Sequence, residues 1–164
     1  MKSDYIKDNW ARQCLEIEPG KGPGKVSANE VFDLLIEIGE GLRKPIQVYP
    51  RPDYSIKGEW NINSGQMIFI VGGWTLAFFI DCGAWDNIDY VIAPDGRRGE
   101  CEDWGAACQP DTILDHYSGR LSDKVEKVFM HAPFVNIGIK EPDFDPAEAF
   151  EKIKTCIQNA DSQS

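Results

Sequence analysis

The 164-residue chain lacks the features by which many enzymes and membrane proteins are recognised. It has two histidines, no C-x-x-C pair among its five cysteines, and no apolar window near the ~20 residues of a membrane span. Its first residues, MKSDYIKDNWARQCLEIE, are too polar for a signal peptide. We therefore expect a cytoplasmic protein with reduced thiols and without cofactors.

Basic residues are also scarce, since 27 acids face 17 lysines and arginines for a formal net charge of −10. The excess is uneven: residues 81–119 hold nine acids and two arginines (2 − 9 = −7), and the rest of the chain sums to −3. Nucleic acids and anionic membranes attract basic surfaces, so direct binding to either is disfavoured. The acidic segment favours a cationic protein or nucleoprotein complex as partner, unless its charge serves solubility alone.

The most apolar part of the chain is divided by turn signals. Gly72-Gly73 separates the runs Gln66–Val71 and Trp74–Ile80, and glycine supplies the positive φ angles of a tight hairpin. Trp74–Ile80 is apolar on both faces, which predicts a central strand with a helix over one face. Pro94-Asp95-Gly96 marks a second turn. We expect further strands at Lys57–Ile62, Asn87–Ala93, Arg97–Trp104 and, at an edge of the sheet, Ile46–Tyr49.

Helix signals flank these strands. Ser27-Ala28-Asn29-Glu30 is a capping box, and apolar residues then recur at helical spacing as far as Leu42, before Pro45. Ser122 is a possible cap for a later helix, and Asp145-Pro146-Ala147-Glu148 opens the last one. The predicted fold class is α+β: an antiparallel β-meander of about five strands, with an N-terminal amphipathic helix packed on it and C-terminal helices.

The predicted organisation is a single domain with two less regular ends. Residues 1–26 are an N-terminal segment with a Gly/Pro linker, and residues 27–159 form the single α+β domain. Residues 160–164 are expected to be a frayed tail. The linker run Pro19–Lys25 lacks the preceding strand and the following Ser or Thr of a phosphate-binding loop.

A motif within the predicted meander carries a resemblance. The run Gly73–Asp86, of pattern GWxLxFFxDCGxxD, and the following Ala93–Arg98, APDGRR, are similar to an uncharacterised domain of small proteobacterial proteins. Gln109–Leu114 resembles the proline-led helix that follows in that group, so the resemblance spans roughly residues 60–130. It implies the architecture and a bacterial origin, but no catalytic residue.

Three acids, Asp81, Asp86 and Asp89, bracket a predicted loop and could bind a divalent cation through carboxylate oxygens. Their spacing does not follow the calcium-loop pattern of alternate acids, a central glycine and a distal glutamate. We therefore interpret them as a solvated acidic loop and expect no metal site.

Cysteine and histidine offer the remaining chemistry. Cys82, Cys101 or Cys108 could act as a nucleophile with His116 or His131, but a reactive thiolate needs electropositive surroundings. The acidic segment should instead raise the pKa of these thiols, so we expect buried structural cysteines. The histidines have neither a paired cysteine nor E-x-x-H spacing, and zinc has little support. No catalytic residue is predicted.

Trp85 is expected in a loop between Gly83 and Asp86, where no core-facing periodicity requires a tryptophan. An exposed tryptophan beside acids is typical of a protein-binding hot spot. The alternative is that its ring covers the open end of the sheet.

Two functions agree with this sequence. The first is a small acidic bacterial or phage inhibitor that occludes a basic partner surface, as a toxin-neutralising immunity protein or an anti-CRISPR-type inhibitor does. The second is a small enzyme or ligand-binding domain that uses the acidic loop 81–89 and a pocket between helix and sheet. The residues expected to bind the partner are Trp85, Asp86, Asp89, Asp95, Glu100, Glu102 and Asp103.

Overall fold

A computed structural model describes residues 25–104 and 119–162 of the chain, with the side chains of residues 119 and 120 excepted. These residues form five strands and four helices. In chain order they are α1 (Ala28–Gly39), β1 (Ile46–Tyr49), β2 (Gly65–Val71), β3 (Trp74–Asp81), β4 (Ala84–Ile92), β5 (Arg98–Glu100), α2 (Cys101–Trp104), α3 (Gly119–Met130) and α4 (Pro146–Ser162).

The strands form one antiparallel sheet in the order β1-β2-β3-β4-β5, which confirms the predicted α+β meander. Trp74–Asp81 is the middle strand, as its apolar character predicts. Two-residue turns join its neighbours: Gly72-Gly73 before it and Cys82-Gly83 after it, with positive φ at all four positions. Such turns match the twist of a hairpin.

The sheet is covered on both faces. On the first face, which we call the α1/α3 face, Leu76, Phe78 and Ile80 of β3 share one core with α1 and α3, and the half-buried Trp74 packs against it. Alternation along the strand puts these four side chains on one side. The second face, which we call the α4 face, carries Ala77 and Tyr90 beneath Ala149 and Ile153 of α4. The protein is therefore a three-layer structure with a central sheet.

The capping box at the start of α1 is present in full. The Ser27 amide donates to Glu30 Oε2 at 2.8 Å, and the Glu30 amide donates to Ser27 Oγ at 3.0 Å. The end of the helix was expected too late, because Gly41 takes a φ of 78° and the amide of Leu42 donates to the carbonyl of Glu37. This left-handed cap stops the helix at Gly39 and turns Leu42 outward, where it is 71% exposed.

The two C-terminal helices, α3 and α4, also differ from what the sequence predicted. Ser122 lies inside α3 instead of capping it. Asp145 caps α4 as predicted, accepting the amides of Ala147 and Glu148 at its Oδ1, and Pro146 is the first helical residue. The helix continues to Ser162, beyond the expected end at Asn159.

Two predicted strands are wrong in whole or in part. Lys57–Ile62 forms bends and irregular chain, because β2 is already paired on both sides and the free side of β1 bonds to residues 133–135. Trp60 and Ile62 are nevertheless buried in the α1/α3 face. The predicted strand Arg97–Trp104 is extended only over β5, and Cys101–Trp104 is helical.

Short extended segments cover both edges of the sheet. The Gln47 amide of β1 donates to the carbonyl of Pro133, and Val135 returns a bond to Gln47. At the other edge, the amide of Val26 donates to the carbonyl of Arg98 at 2.9 Å. Covered edges prevent pairing with other chains. Val26 is fully buried, so the ordered core begins within the segment expected to be linker.

Candidate functional site

Strand β4 contains two β-bulges, and each is at an acidic residue. Ile88 pairs with Phe78 and Tyr90 with Ala77, so Asp89 between them has no partner on β3. Asp86 is skipped in the same way, between the pairs of Trp85 and Asn87. A bulge bends a strand and redirects the side chain of its extra residue.

The bulge at Asp89 is held by two amide side chains on the α4 face. Gln66 Nε2 of β2 donates to Asp89 Oδ2 at 3.0 Å, and Asn87 Nδ2 donates to Asp89 Oδ1 at 3.0 Å. Gln66 is only 3% exposed, whereas Asp89 is half-buried. Each carboxylate oxygen therefore has one fixed donor, and the charge of Asp89 is held in place at the sheet surface.

Strand β5 and the short helix α2 bring two further acids to this point. Glu100 pairs with Tyr90, so its side chain lies on the α4 face beside the Asp89 bulge. Burial raises the pKa of the neighbouring Cys101 thiol, and the negative charges of Asp89, Glu102 and Glu100 raise it further. Asp89, Glu100 and Glu102 thus converge around Cys101, and we call these three carboxylates the acidic surface.

Two other acids expected to contact a partner are already in ion pairs. Asp95 Oδ2 accepts from Arg97 Nε at 2.8 Å, and Arg97 also pairs with Glu30 at 2.9 Å. Asp103 lies 3.4 Å from Lys25 Nζ and accepts the amide of Glu100. These acids stabilise the turn and the cap of α2, so they are less free for a partner than Asp86 and Glu102, whose side chains are exposed.

The expected position of Trp85 is wrong. Trp85 is the second residue of β4, not a loop residue, and its half-buried indole packs on the α1/α3 face. The ring stacks on Phe78, so the sheet-covering alternative describes it better than an exposed hot spot. Because Asp89 and Glu100 lie on the α4 side, Trp85 and these two acids lie on opposite faces of the sheet.

The expected rise in thiol pKa is confirmed for two cysteines. A hydrogen bond to Asp81 and the charge of that carboxylate raise the pKa of the Cys82 thiol. The expectation of burial is wrong for Cys82, which lies exposed in the β3–β4 turn, while Cys101 is half-buried. Both lack the electropositive surroundings of a nucleophile. Cys108 and His116 lie outside the described residues, and His131 is exposed.

Among the described residues, the acidic segment 81–89 carries no three-ligand metal cluster and is separate from the groove beside α4. Within residues 25–104 and 121–162, no three His, Cys, Asp or Glu side chains lie close enough to hold one metal ion. A groove of about 200 Å³ runs between the sheet and α4, lined by Gly73, Phe150 and Ile157 among others. Gly73 and the Cys82-Gly83 turn lie at opposite ends of β3, so this groove and the acidic residues of segment 81–89 do not form one site.

The sequence did not point to two uncharged residues near Asp89, namely Gln66 and Tyr90. Gln66 Oε1 and the Tyr90 hydroxyl are buried without a hydrogen-bond partner in the described part of the chain. One signal was available, because Gln66 begins an apolar strand at a position that alternation assigns to a covered face. Asp143, whose charge reaches Tyr90, comes from a segment 53 residues later (143 − 90) and gave no signal.

Comparisons with known proteins place the chain in a family. A model described as "Domain of unknown function (DUF7693)" matches residues 25–122, which is 98 of 164 residues (122 − 25 + 1) and includes all five strands. No curated protein and no solved structure matches the chain. Among the described helices, none has the length and apolar character needed to cross a bilayer. The chain belongs to the DUF7693 family, a family of unknown function.

Proposed function

We propose that this protein binds a cationic protein or nucleoprotein complex and covers a basic surface of that partner. The observation that carries the proposal is the convergence of Asp89, Glu100 and Glu102 around Cys101, from two strands and a helix. Among the described residues, none of these three carboxylates forms an ion pair with a lysine or arginine. Their charge is therefore available to an outside group.

Electrostatics suggests what such a surface does. Opposite potentials steer diffusing partners together, and like charges reject nucleic acid and other acidic proteins. The exposed Asp86, on the same strand as Asp89, extends the negative potential along β4. Most of the net affinity would then come from neighbouring surface that becomes desolvated, since exposed ion pairs contribute about 1 kcal/mol or less each.

Within this proposal, the protein is an inhibitor. A toxin-neutralising immunity protein covers a basic active site with acids, and an anti-CRISPR-type inhibitor presents carboxylates where phosphates would bind. The motif of Gly73–Asp86 supports a bacterial or phage origin, and the reduced cysteines Cys82, Cys101 and Cys156 agree with a cytoplasmic location.

The test is a capture experiment with charge-reversed variants. The tagged protein is used as bait in a lysate of the source cells at low and at physiological salt, and the captured proteins are identified by mass spectrometry. We expect a basic partner whose purified form associates more slowly as salt rises, because the screening length falls to ~8 Å. The double variant Asp86→Lys/Glu102→Lys should slow association at least tenfold without loss of fold, since both side chains are exposed.

The matched control is Glu59→Lys/Glu151→Lys, which reverses two exposed acids elsewhere and changes the net charge by the same amount. If the two double variants weaken binding equally, the effect is bulk charge and the proposed surface is wrong. If neither weakens it, the partner binds another part of the chain.

A further inference from the structure

Tyr90 is an unusual residue for the centre of a covered sheet face. Its side chain is 1% exposed, and its hydroxyl has no hydrogen-bond partner in the described part of the chain. Burial raises the pKa of Tyr90, and the negative charges of Asp143 and Asp89 raise it further. Native proteins pair nearly all buried polar groups, so an unpaired hydroxyl indicates a missing partner.

Gln66, which bonds to Asp89, also has a buried polar atom without a hydrogen-bond partner in the described part of the chain. Its amide nitrogen donates to Asp89, which fixes the orientation of the side chain, and its Oε1 is left buried and unpaired. Reversing the amide would set that oxygen against the carboxylate, so the observed orientation is favoured. An unpaired acceptor thus lies on each side of the same carboxylate.

Three carboxylates lie near Gln66 and Tyr90. Asp89, Asp143 and Glu100 are half-buried, and none of them is in an ion pair with a basic side chain among the described residues. The donors that reach Asp89, from Gln66 and Asn87, are already used. Arg98 lies two residues before Glu100 on the same face, is exposed, and forms no ion pair with a described acid. Among the described residues, the cluster therefore has several acceptors to spare and one unused donor, the Tyr90 O–H.

We propose that Asp89, Glu100 and Asp143, with Gln66 and Tyr90 beneath them, form a binding notch for a guanidinium group. A guanidinium offers five N–H donors in a plane, which complement the carboxylates and Gln66 Oε1, and the Tyr90 hydroxyl oxygen can accept from it as well. The carboxylates are too far apart to share one metal ion, whereas a planar guanidinium can bridge separated acceptors. This proposal rests on the proposed function, since it names the group that a basic partner inserts.

Binding requires a local rearrangement of side chains. Gln66 Oε1 and the Tyr90 hydroxyl are covered, so an incoming group first meets the half-buried carboxylates. Asp143 is the movable member, because it lies in the extended segment before α4 and is anchored by one bond from the Asp145 amide at 3.1 Å. A shift of this segment would open the notch without disturbing the sheet.

The test uses small probes, so it needs no knowledge of the partner. The ¹⁵N-labelled full chain is titrated with ethylguanidinium and, at equal ionic strength, with ethylammonium. We expect saturable shifts of the Gln66 side-chain amide and of the Tyr90 and Glu100 backbone amides with ethylguanidinium, and at least tenfold weaker effects with ethylammonium. Equal, non-saturating shifts with both probes would overturn the proposal.

Three variants locate the binding. Asp89→Asn should weaken ethylguanidinium binding at least tenfold, while Glu59→Gln, with the same charge change at an exposed position elsewhere, should leave it unchanged. Tyr90→Phe removes the unpaired hydroxyl, so we expect weaker binding with stability kept or improved. If Tyr90→Phe lowers stability and leaves binding unchanged, the hydroxyl has a structural partner and the notch is wrong.

Two further probes distinguish a protein arginine from a small metabolite as the source of the guanidinium group. N-acetyl-arginine amide imitates an arginine residue of a protein, and free L-arginine imitates a small metabolite. Tighter binding of the capped residue supports a protein arginine, and tighter binding of the free amino acid supports a small guanidino ligand at the same notch. If a basic partner is captured through the acidic surface but none of the guanidinium probes binds, the notch is wrong and the proposed function is still supported.

Discussion

The indole ring of Trp85 stacks on the ring of Phe78, with centroids 4.6 Å apart and planes 18° apart. Phe129 of α3 meets Phe78 edge-on at 4.6 Å, so residues of β3, β4 and α3 form one aromatic cluster. Aromatic pairs contribute about 0.5–1.5 kcal/mol beyond the burial of their area. This cluster ties the β3–β4 hairpin to the helix layer and makes Trp85 part of the core.

We therefore predict that Phe78→Ala lowers the free energy of unfolding by about 3–5 kcal/mol, since the ring is fully buried. Urea denaturation followed by tryptophan fluorescence measures the change. Phe144→Ala is the control, because that ring is 68% exposed and its loss should change stability by about 0.5 kcal/mol or less. Equal effects of the two substitutions would contradict the described core.

Trp85→Ala should affect stability and not partner binding. The ring is half-buried, so we expect a loss of about 2 kcal/mol, below the range for fully buried aromatic residues. The indole lies on the face opposite Asp89 and Glu100, so the dissociation rate of a captured partner should stay unchanged. A faster dissociation with unchanged stability would restore Trp85 as a contact residue.

Gly99 is required by the close approach of Trp104. A Cβ at this position would lie 2.7 Å from Trp104 Cζ2 and 2.8 Å from the carbonyl oxygen of Val26, which accepts the bond from Trp104 Nε1. Gly99→Ala should therefore cost about 1–3 kcal/mol, because the indole or the backbone must move. Calorimetry checks this, with Arg98→Ala, an exposed side chain on the same strand, as the control.

Glu30 gives the protein a pH-dependent contribution to stability. Burial opposes its ionisation, but hydrogen bonds from Arg97 and Ser27 and the charge of Arg97 hold the pKa of Glu30 below its ordinary value. A lowered folded-state pKa means that the contribution is complete above the ordinary value of 4.5 and is lost as the pH falls through the folded-state pKa.

Glu30→Gln should thus lower stability at pH 7 by about 1 kcal/mol or less, since both partners are partly exposed. The difference from the wild type should shrink as the pH falls below 4.5. Denaturation curves from pH 7 to pH 3 test this, and Glu59→Gln, at an exposed position, is the control. A difference that is independent of pH would show that Glu30 acts through packing alone.

Cys82 should be a slow nucleophile despite its exposure. The hydrogen bond to Asp81 and the charge of that residue raise the thiol pKa, so little thiolate exists at neutral pH. Asp81→Asn should lower this pKa and speed alkylation of Cys82 by iodoacetamide, measured by peptide mass spectrometry. Asp86→Asn is the matched change of charge and should have little effect. Alkylation at equal rates in wild type and Asp81→Asn would refute the role of Asp81.

Local signals in the sequence determined much of the secondary structure. The capping box at Ser27, the glycine pair Gly72-Gly73 and the proline-led start of α4 act within four residues, so each could be read without the fold. The doubly apolar run Trp74–Ile80 also predicted the middle of the sheet, since a strand covered on both faces has no polar side. The α+β class followed from these signals, whereas the strand predicted at Lys57–Ile62 was wrong.

The tertiary structure decided where the side chains of the acidic segment lie. The bulges at Asp86 and Asp89 depend on the register of two strands, which no local pattern encodes. With this register Trp85 pairs with Ile80 and packs against the core, although a loop position was predicted. Ion pairs between residues far apart in the chain also determine which acids are neutralised. Lys25 pairs with Asp103, and Arg97 pairs with Glu30. Charge composition is a property of the sequence, but the convergence of Asp89, Glu100 and Asp143 beside Tyr90 requires the folded sheet, because strand pairing brings together residues that are far apart in the chain.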